Sequence, residues 1–600
     1  MIDSLRKIYK LFPRKDHLKL LVLFAMMLIA SLLEVLGIGI IPAFVIAVAD
    51  PDTLLEMQYI GEWLESAGIT TAESLVVYGA ILLIVIYIVK NCYLAFFFYV
   101  KHKFVANRGV YLQNRMFKAY MTAPYSFFLN RNSAQLLRNV TSEVNKIISG
   151  TIMPFLEISL KLSMFVFIIG TLLFFEPFIT VVTAFLMGGG GYIFLRYTQK
   201  KTTQAGKDDR EARGELNKVV LQGLGGFKDA RVLNREKMFL KEYSQNAEIS
   251  KKASVFRSVV NSLPKPIIET LMVIGILAIT LIMVWEEREL TSIISTLVLF
   301  GVAAVKLMPI FNTVIAQITT IRYSAYSVYA IHDDLEILEN RFQEFREEVL
   351  QDAEKMELHS TIKLNSITYR YPESDEQSVR DISLEIKRGS AVAFVGPSGA
   401  GKTTLVDIIL GLLKPESGTI RIDGRNIYDD IRGWMRNIGY IPQSIYLLDD
   451  TVRRNIAFGI PDEDVDPDKL QAAIQAAQLE ELVERLPRGE YTKVGERGVR
   501  LSGGQRQRIG IARALYNNPQ VLIMDEATSA LDNITEKFVI EAIERLRGDR
   551  TIIMIAHRLT TVRNCDCIFM LDEGKMIGQG TYDELLEQNP EFRKMSLIEE

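Results

Sequence analysis

The chain has 600 residues, too many for one hydrophobic core, so the sequence predicts more than one domain. Apolar residues make up 49% of it and charged residues 24%, which indicates a membrane portion joined to a substantial aqueous portion. The formal net charge of -3 gives no indication of nucleic-acid binding, and we expect no nucleic-acid partner. The three cysteines exclude a disulfide framework and are typical of reduced, structural thiols.

Apolar runs are concentrated in the first 320 residues. A helix needs about 20 mainly apolar residues to cross a bilayer. Six segments meet this requirement: 20–49, 75–100, 151–175, 178–195, 264–285 and 291–315. We therefore expect a transmembrane domain over residues 1–330, followed by a linker over 331–358.

The charges on the connecting segments predict the orientation of these spans. Lys and Arg number six in residues 1–19, eight in 101–150 and fifteen in 196–262, whereas residues 50–74 carry six acids and no Lys or Arg. Cytoplasmic loops carry the excess of basic residues. Both termini and the two long loops are accordingly predicted to be cytoplasmic.

The two long cytoplasmic connections are predicted to be helical, because a structureless loop of that length is rare in a compact domain. We interpret them as continuations of the spans that turn at short transverse helices near Tyr120–Leu129 and Leu221–Leu233. The outer loop 50–74 has apolar residues at helical spacing, which predicts a short amphipathic helix. That helix either packs on the bundle or meets a substrate, and the sequence leaves both interpretations open.

Ionisable residues inside the spans are candidates for a substrate site, because a charge in the bilayer is costly. Our candidates are Lys306, Glu34 and Lys161, with Glu269 as a fourth ionisable residue in a span. Lys306 lies deep in the sixth span, where a cation would suit a phosphate or carboxylate on a cargo. An ion pair between Lys306 and Glu34 or Glu269 is the structural alternative.

Residues 359–600 have the alternation of short apolar strands and amphipathic helices that is typical of an α/β domain. The apolar run 391–395 is followed by a stretch that matches G-x-x-x-x-G-K-[ST], the phosphate-binding Walker A loop. Glycines let backbone N–H groups approach phosphates, a lysine reaches the terminal phosphates, and the hydroxyl that follows holds Mg²⁺. The predicted nucleotide-binding residues here are Gly396, Pro397, Ser398, Gly399, Ala400, Gly401, Lys402, Thr403 and Thr404.

A second apolar strand, 521–525, ends in two acids. Asp525 is placed to organise Mg²⁺, and Glu526 is placed to polarise the water that attacks the γ-phosphate. The two motifs together predict an ATPase that uses ATP and Mg²⁺.

The segment Leu501-Ser-Gly-Gly-Gln505 is similar to the signature of the ABC transporter family. This resemblance implies that Tyr371 stacks on adenine, that Gln443 contacts Mg²⁺, and that His557 is a catalytic switch residue. It further implies a nucleotide-facing Asp532. Four signature residues would complete the ATP site of a partner subunit: Ser502, Gly503, Gly504 and Gln505.

The resemblance extends over the chain and implies an exporter-type half-transporter of the type IV fold. Its fold class would be an α-helical transmembrane bundle, with six spans of the domain-swapped dimer type, fused to an α/β P-loop ABC ATPase domain over 359–600. One ATPase domain with intact motifs favours a homodimer, although a heterodimer stays open.

Two segments of the membrane half, 33–39 and 223–236, resemble bacterial lipid-linked oligosaccharide flippases. This implies a lipid-type substrate, contact with membrane lipids, and a multi-pass location in the bacterial inner membrane. A lipid A-like lipid or multidrug exporter is the alternative. An ATP-gated channel or regulatory ABC subunit would tolerate loss of Glu526, so its presence favours an active pump.

Overall fold

The computed structural model describes residues 6–7, 13, 15–49, 71–175, 177–285, 290–343, 353–372, 374–495, 498–525, 544–556 and 558–599. The chain divides into two compact units. One comprises Met1–Ala123 with Asn130–Gln343, and the other comprises Pro124–Leu129 with Glu344–Glu600. The short stretch 124–129 therefore belongs with the second unit, although it lies within the first unit in sequence.

The described part of the chain before residue 337 is almost entirely helical. Its helices are α1 Lys15–Ala49, α2 Ala72–Met121, α3 Tyr125–Leu129, α4 Ser133–Arg138, α5 Val144–Ile147, α6 Met153–Phe175, α7 Pro177–Gly225, α8 Phe227–Val232, α9 Glu236–Ser262, α10 Pro264–Trp285 and α11 Leu290–Glu336. Three π-helical turns, Asn139–Glu143, Ile148–Ile152 and Ile337–Arg341, interrupt or extend them.

Five of the six predicted spans lie within one long helix, namely α1, α2, α7, α10 or α11. The predicted span 151–175 begins in the π-helical turn Ile148–Ile152 and continues through α6. Four stretches of the described residues are long and apolar enough to cross a bilayer: Lys15–Gly37, Ala72–Met121, Ser133–Phe174 and Glu236–Trp285. The predicted spans 178–195 and 291–315 contain several side chains outside the described set. The predicted amphipathic helix also falls largely outside it, since residues 50–70 are not described.

The longest helices continue well beyond what a membrane requires. Helix α2 has 50 residues, α7 has 49 and α11 has 47. At 1.5 Å per residue these helices are roughly 70–75 Å long, against about 30 Å of hydrocarbon. The predicted helical extensions are therefore confirmed, and α3 and α8 fall within the two segments predicted as transverse helices. Helix α11 and its π-helical turn reach Arg341, inside the segment predicted as a linker.

The second unit is α/β. Its strands are β1 Thr361–Arg370, β2 Gln377–Lys387, β3 Ala391–Val395, β4 Ser417–Ile422, β5 Arg425–Asn426, β6 Ile438–Ile441, β7 Val521–Asp525, β8 Thr551–Ile555, β9 Cys567–Asp572 and β10 Lys575–Gly580. Its helices are α12 Lys402–Ile409, α13 Ile431–Arg436, α14 Val452–Ile456, α15 Pro467–Ala476, α16 Glu480–Arg485, α17 Gly503–Leu515, α18 Tyr582–Gln588 and α19 Pro590–Glu599.

Two sheets form this unit. An antiparallel sheet has the order β2-β1-β4-β5, and a six-stranded sheet has the order β10-β9-β3-β8-β7-β6. In the second sheet every pairing except β9 with β10 is parallel. Strands β3 and β7 are buried at every residue and apolar except for Asp525 at the end of β7, as expected of parallel strands covered on both faces.

Candidate nucleotide-binding site

At Gly401, the loop between β3 and α12 has a backbone conformation that only glycine accommodates. Gly401, the N-cap residue of α12, has a φ of +93°, and a Cβ built there would lie 2.3 Å from the carbonyl oxygen of Ser378. Any other residue would be strained by its φ and would collide with backbone. The loop thus delivers the chain directly into the N-terminus of α12, whose free N–H groups and dipole favour phosphate.

Lys402 is folded over this loop. Its side chain is buried, and its Nζ donates to the carbonyl oxygens of Gly396 at 2.8 Å and Pro397 at 2.9 Å. The ammonium is therefore held at the loop itself, where a phosphate chain on the α12 N-terminus would meet it.

The predicted adenine-stacking residue lies beside the same helix. The hydroxyl of Tyr371 is 3.0 Å from Oγ1 of Thr404, and its ring packs edge-on against Tyr369 with ring centroids 5.2 Å apart. The structure thus brings Tyr371 to the start of α12, next to the Walker A loop.

Strand order gathers the remaining motifs at one edge of the sheet. Strands β3, β8, β7 and β6 are consecutive and parallel, and Ile555 pairs with both Phe394 and Asp525. The Walker A loop follows β3, Asp525 ends β7, and Gln443 comes two residues after β6. In open α/β sheets, ligands bind at the carboxyl ends of the strands.

The donor set at this edge fits Mg²⁺. The Thr403 hydroxyl, the Asp525 carboxylate and the Gln443 amide oxygen are hard oxygen ligands, and Mg²⁺ binds few protein ligands while retaining water. These residues would hold the ion. The ion would neutralise phosphate charge.

Asp407 is an acidic neighbour of Asp525 that the sequence reasoning missed. Burial, and then repulsion by Asp525, raise the pKa of Asp407 to about 6. Its position on α12, five residues after Lys402, is the signal that could have identified it, because that helix starts at the phosphate loop.

The signature segment forms a helix N-terminus of its own. Ser502 caps α17: its backbone N–H donates to Oε1 of Gln505 at 2.9 Å, and its Oγ accepts from the Gln505 N–H at 3.3 Å. Ser502 and Gly503 are exposed, whereas Gly504 is buried. The capping box thus orders an N-terminus that faces solvent in the single chain.

Three of the predicted ATPase residues lie outside the described residues, namely Glu526, Asp532 and His557. Strands β7 and β8 end at Asp525 and Ile555, immediately before Glu526 and two residues before His557. The roles of these three residues stay predictions.

The predicted substrate residues of the membrane region do not form one cluster among the described side chains. Glu34 pairs with Lys90, Oε2 to Nζ at 3.2 Å, and the Lys90 side chain is only 10% exposed. Lys161 has its Nζ 3.9 Å from Sδ of Met164 and has no carboxylate partner among the described side chains. The helix around Lys306 is described but its side chain is not.

Sequence reasoning missed the two basic partners in α2. Lys90 lies inside the predicted span 75–100 and pairs with Glu34, while Lys101 is buried in an ion pair with Glu157 of α6. Their positions in or beside an apolar run were the available signal, because a buried cation there requires an acid nearby.

Comparison with known proteins agrees with this architecture. The family described as "ABC transporter" matches residues 379–529, and the "ABC transporter transmembrane region" matches residues 19–319. A protein of Cupriavidus pinatubonensis named "ATP-dependent lipid A-core flippase" is 30% identical over 80% of each chain. A protein of the same name from Haemophilus influenzae is 29% identical over 81% of each chain.

A solved structure shares the fold. It is titled "Structure of a bacterial Atm1-family ABC exporter with ATP bound", and it superposes with a TM-score of 0.78 over 97% of this chain and 98% of that one, at 22% identity. The fold is therefore that of a type IV exporter. The transmembrane match covers half of the chain, and with the nucleotide-binding edge of the sheet it shows that this chain belongs to the ABC transporter family.

Proposed function

We propose that the chain is one subunit of a homodimeric, ATP-driven flippase for a phosphate-bearing lipid. The observation that carries the proposal is the edge of the β3-β8-β7-β6 sheet, where a Walker A loop, Asp525 and Gln443 meet in a chain that also contains a helical transmembrane region. Such a chain both hydrolyses ATP and crosses the membrane.

Hydrolysis needs positioning and charge stabilisation more than covalent chemistry. The N-terminus of α12 and Lys402 would bind the phosphates, Thr403, Gln443 and Asp525 would hold Mg²⁺, and Glu526 would accept a proton from the attacking water. His557 would contact the γ-phosphate.

The substitution Glu526→Gln tests this assignment. We expect ATP binding to be retained and turnover to fall by ~10²-fold or more, because a positioned general base contributes that much. Normal hydrolysis in this variant would refute the role of Glu526.

The exposed N-terminus of α17 supports a dimer. Ser502 and Gly503 present a capped helix end to solvent, and that end would cover ATP bound to the Walker A loop of a second copy. Each dimer would then have two composite sites, one Walker A loop facing one signature.

Complementation between two inactive subunits tests the composite site. One subunit carries Lys402→Ala and the other carries Ser502→Arg. The mixed dimer has one intact site if the sites are composite, so co-purified mixed dimers should recover ATPase activity that neither variant has alone. No recovery in verified mixed dimers would exclude composite sites.

The relatives from Cupriavidus pinatubonensis and Haemophilus influenzae are both named "ATP-dependent lipid A-core flippase", which favours a lipid A-type glycolipid as cargo. Such a lipid combines phosphates with hydrocarbon tails. Lys161 supports anion recognition, since its ammonium has a thioether rather than a carboxylate beside it. Lys306 is the second candidate cation.

A lipid-linked oligosaccharide is the second candidate cargo, favoured by the resemblance of segments 33–39 and 223–236. Stimulation of ATPase activity in nanodiscs separates the two: purified lipid A-core and an undecaprenyl-diphosphate glycan are titrated separately. The Lys161→Ala variant should lose stimulation, whereas Lys218→Ala, in an exposed ion pair with Glu215, should retain it. Stimulation by neither lipid would refute a phosphate-bearing lipid cargo.

The proposed location is the bacterial inner membrane, with both termini cytoplasmic. The distribution of Lys and Arg over the loops supports this orientation. A fluorescent protein fused at the C-terminus should fluoresce, and alkaline phosphatase fused there should be inactive. The opposite result would reverse the topology.

A further inference from the structure

A buried carboxylate near the end of α11 binds three polar side chains from other parts of the first unit. Asp334 is 6% exposed. Its Oδ2 accepts from the Tyr120 hydroxyl at 2.8 Å and from Nδ2 of Asn139 at 2.9 Å, while its Oδ1 accepts from a guanidinium nitrogen of Arg131 at 3.0 Å. Nδ2 of Asn139 also lies 3.1 Å from the Tyr120 hydroxyl oxygen, so the three groups form one network.

The network connects residues that lie before and after the short helix α3. Tyr120 is in the last turn of α2, and Arg131 comes two residues after α3 ends. The stretch between them contains Pro124–Leu129, the residues that belong to the same compact unit as the ATPase domain. Asp334 therefore binds the residues that flank this stretch on both sides, Tyr120 before it and Arg131 after it.

A second contact joins α2 to the end of α11. The guanidinium of Arg115 in α2 binds Glu339 with two parallel hydrogen bonds, Nε to Oε1 at 2.8 Å and the second at 2.5 Å. A bidentate pair fixes orientation as well as distance. Glu339 lies in the π-helical turn Ile337–Arg341, which directly follows α11. The C-terminal end of the last helix therefore contacts α2 at two points, through Asp334 before Glu336 and through Glu339 after it.

We propose that Asp334 is a positioning residue for energy coupling, which ties both ends of the α3 segment to α11, so that displacement of α3 moves the last helix of the transmembrane region. The inference rests on the proposed function, in which the ATPase domain drives the membrane helices. Asparagine at position 334 would offer one acceptor oxygen instead of two and no charge, which would weaken the hydrogen bonds that this carboxylate accepts. The segment ends would then loosen while the nucleotide site stays intact.

The test uses the full-length dimer in proteoliposomes and the variant Asp334→Asn. Asp333→Asn is the matched control, because Asp333 is the adjacent residue on the same helix but is 56% exposed and pairs with Lys7. We expect Asp334→Asn to keep basal ATPase activity within about twofold, while lipid translocated per ATP falls at least about fivefold, the lower range of typical coupling between sites. Asp333→Asn should change neither quantity.

Hydrogen–deuterium exchange supplies a readout that does not depend on transport. Peptides covering residues 118–132 should exchange faster in Asp334→Asn than in the unaltered protein or in Asp333→Asn. Unchanged exchange, or an unchanged ratio of translocation to hydrolysis, would overturn the proposal. Equal loss of hydrolysis and translocation would also overturn it, because that is the result of a merely structural role.

Two further outcomes remain distinguishable. If Asp334→Asn fails to assemble, Tyr120→Phe removes the hydroxyl that donates to Asp334 and accepts from Asn139, with little change of shape. This variant should show a smaller shift of the same sign, and wild-type coupling in it would count against the proposal. If the unaltered protein hydrolyses ATP but translocates no lipid, the proposed function fails, and the exchange measurement alone decides whether Asp334 holds the segment.

Discussion

Two glycines of the Walker A loop give a paired prediction. Gly401 and Gly399 both have positive φ angles, +93° and +84°, so alanine at either position incurs the left-handed backbone penalty of about 1–2 kcal/mol. Their surroundings differ. A Cβ at Gly401 would lie 2.3 Å from the Ser378 carbonyl oxygen, whereas a Cβ at Gly399 would have no atom within 4 Å.

The steric difference determines how strongly each substitution should destabilise the ATPase domain. Backbone must move by roughly 1 Å to admit a Cβ at Gly401, and overpacking of this kind costs about 1–3 kcal/mol. Gly401→Ala should therefore destabilise the ATPase domain by about 2–5 kcal/mol, and Gly399→Ala by about 1–2 kcal/mol. At about 2–4 °C per kcal/mol, the apparent Tm should fall by roughly 4–20 °C for Gly401→Ala and roughly 2–8 °C for Gly399→Ala.

Thermal unfolding of the nucleotide-free protein, under one heating rate, measures the stability difference. Titration with a fluorescent ATP analogue then measures binding. Gly401→Ala should bind the ATP analogue at least about tenfold more weakly, because a loss of about 1.4 kcal/mol in binding free energy corresponds to a tenfold lower affinity. Equal destabilisation by the two substitutions would refute the steric argument at Ser378.

Three other predictions concern groups that are buried or half-buried. Asp407 has a folded-state pKa of about 6 against an ordinary value of 3.8, so its contribution to stability is lost as pH rises from about 4 to 6. Asp407→Asn should therefore raise Tm at pH 7.5 but not at pH 4. The free energy of unfolding at pH 7.5 should increase by up to about 2–3 kcal/mol. Glu34→Ala leaves Lys90 buried without its carboxylate partner and should lower the free energy of unfolding in detergent by about 3–5 kcal/mol. The double variant Glu34→Ala with Lys90→Met should recover most of that stability. Equal loss in the single and the double variant would count against the ion pair. Trp434→Phe deletes a buried hydrogen bond of 2.7 Å to the Ile409 carbonyl and should lower stability by about 2–4 kcal/mol, measured by the same unfolding assay; a neutral result would contradict the packing around α13.

Sequence patterns predicted much of the architecture because they depend on local chemistry. Apolar runs located the six long helices, and the lengths of the charged connections indicated that the helices continue past the membrane. Strand–loop–helix context identified the phosphate loop before Lys402. The carboxyl-edge arrangement of Asp525 and Gln443 could not be derived from spacing alone, because strand order is a tertiary property.

Side-chain partnerships were the least predictable feature. Glu34 was expected to serve a substrate or Lys306, and the structure pairs it with Lys90, from a different helix. Asp334 and Arg131 gave no signal, since they are separated by about 200 residues and a single carboxylate in an amphipathic helix is ordinary. Such contacts depend on which faces of long helices meet, and one sequence does not encode that locally.

ATP-driven lipid movement in proteoliposomes is the decisive measurement for a flippase. Purified protein is reconstituted with a fluorescent lipid A-type glycolipid, and the fraction of label protected from a membrane-impermeant quencher is followed after Mg-ATP is added on the side of the ATPase domain. We expect translocation that requires ATP, is lost in Glu526→Gln and is lost in Lys402→Ala. Translocation at the same rate in Lys402→Ala, or hydrolysis with no lipid movement for either phosphate-bearing lipid, would contradict it.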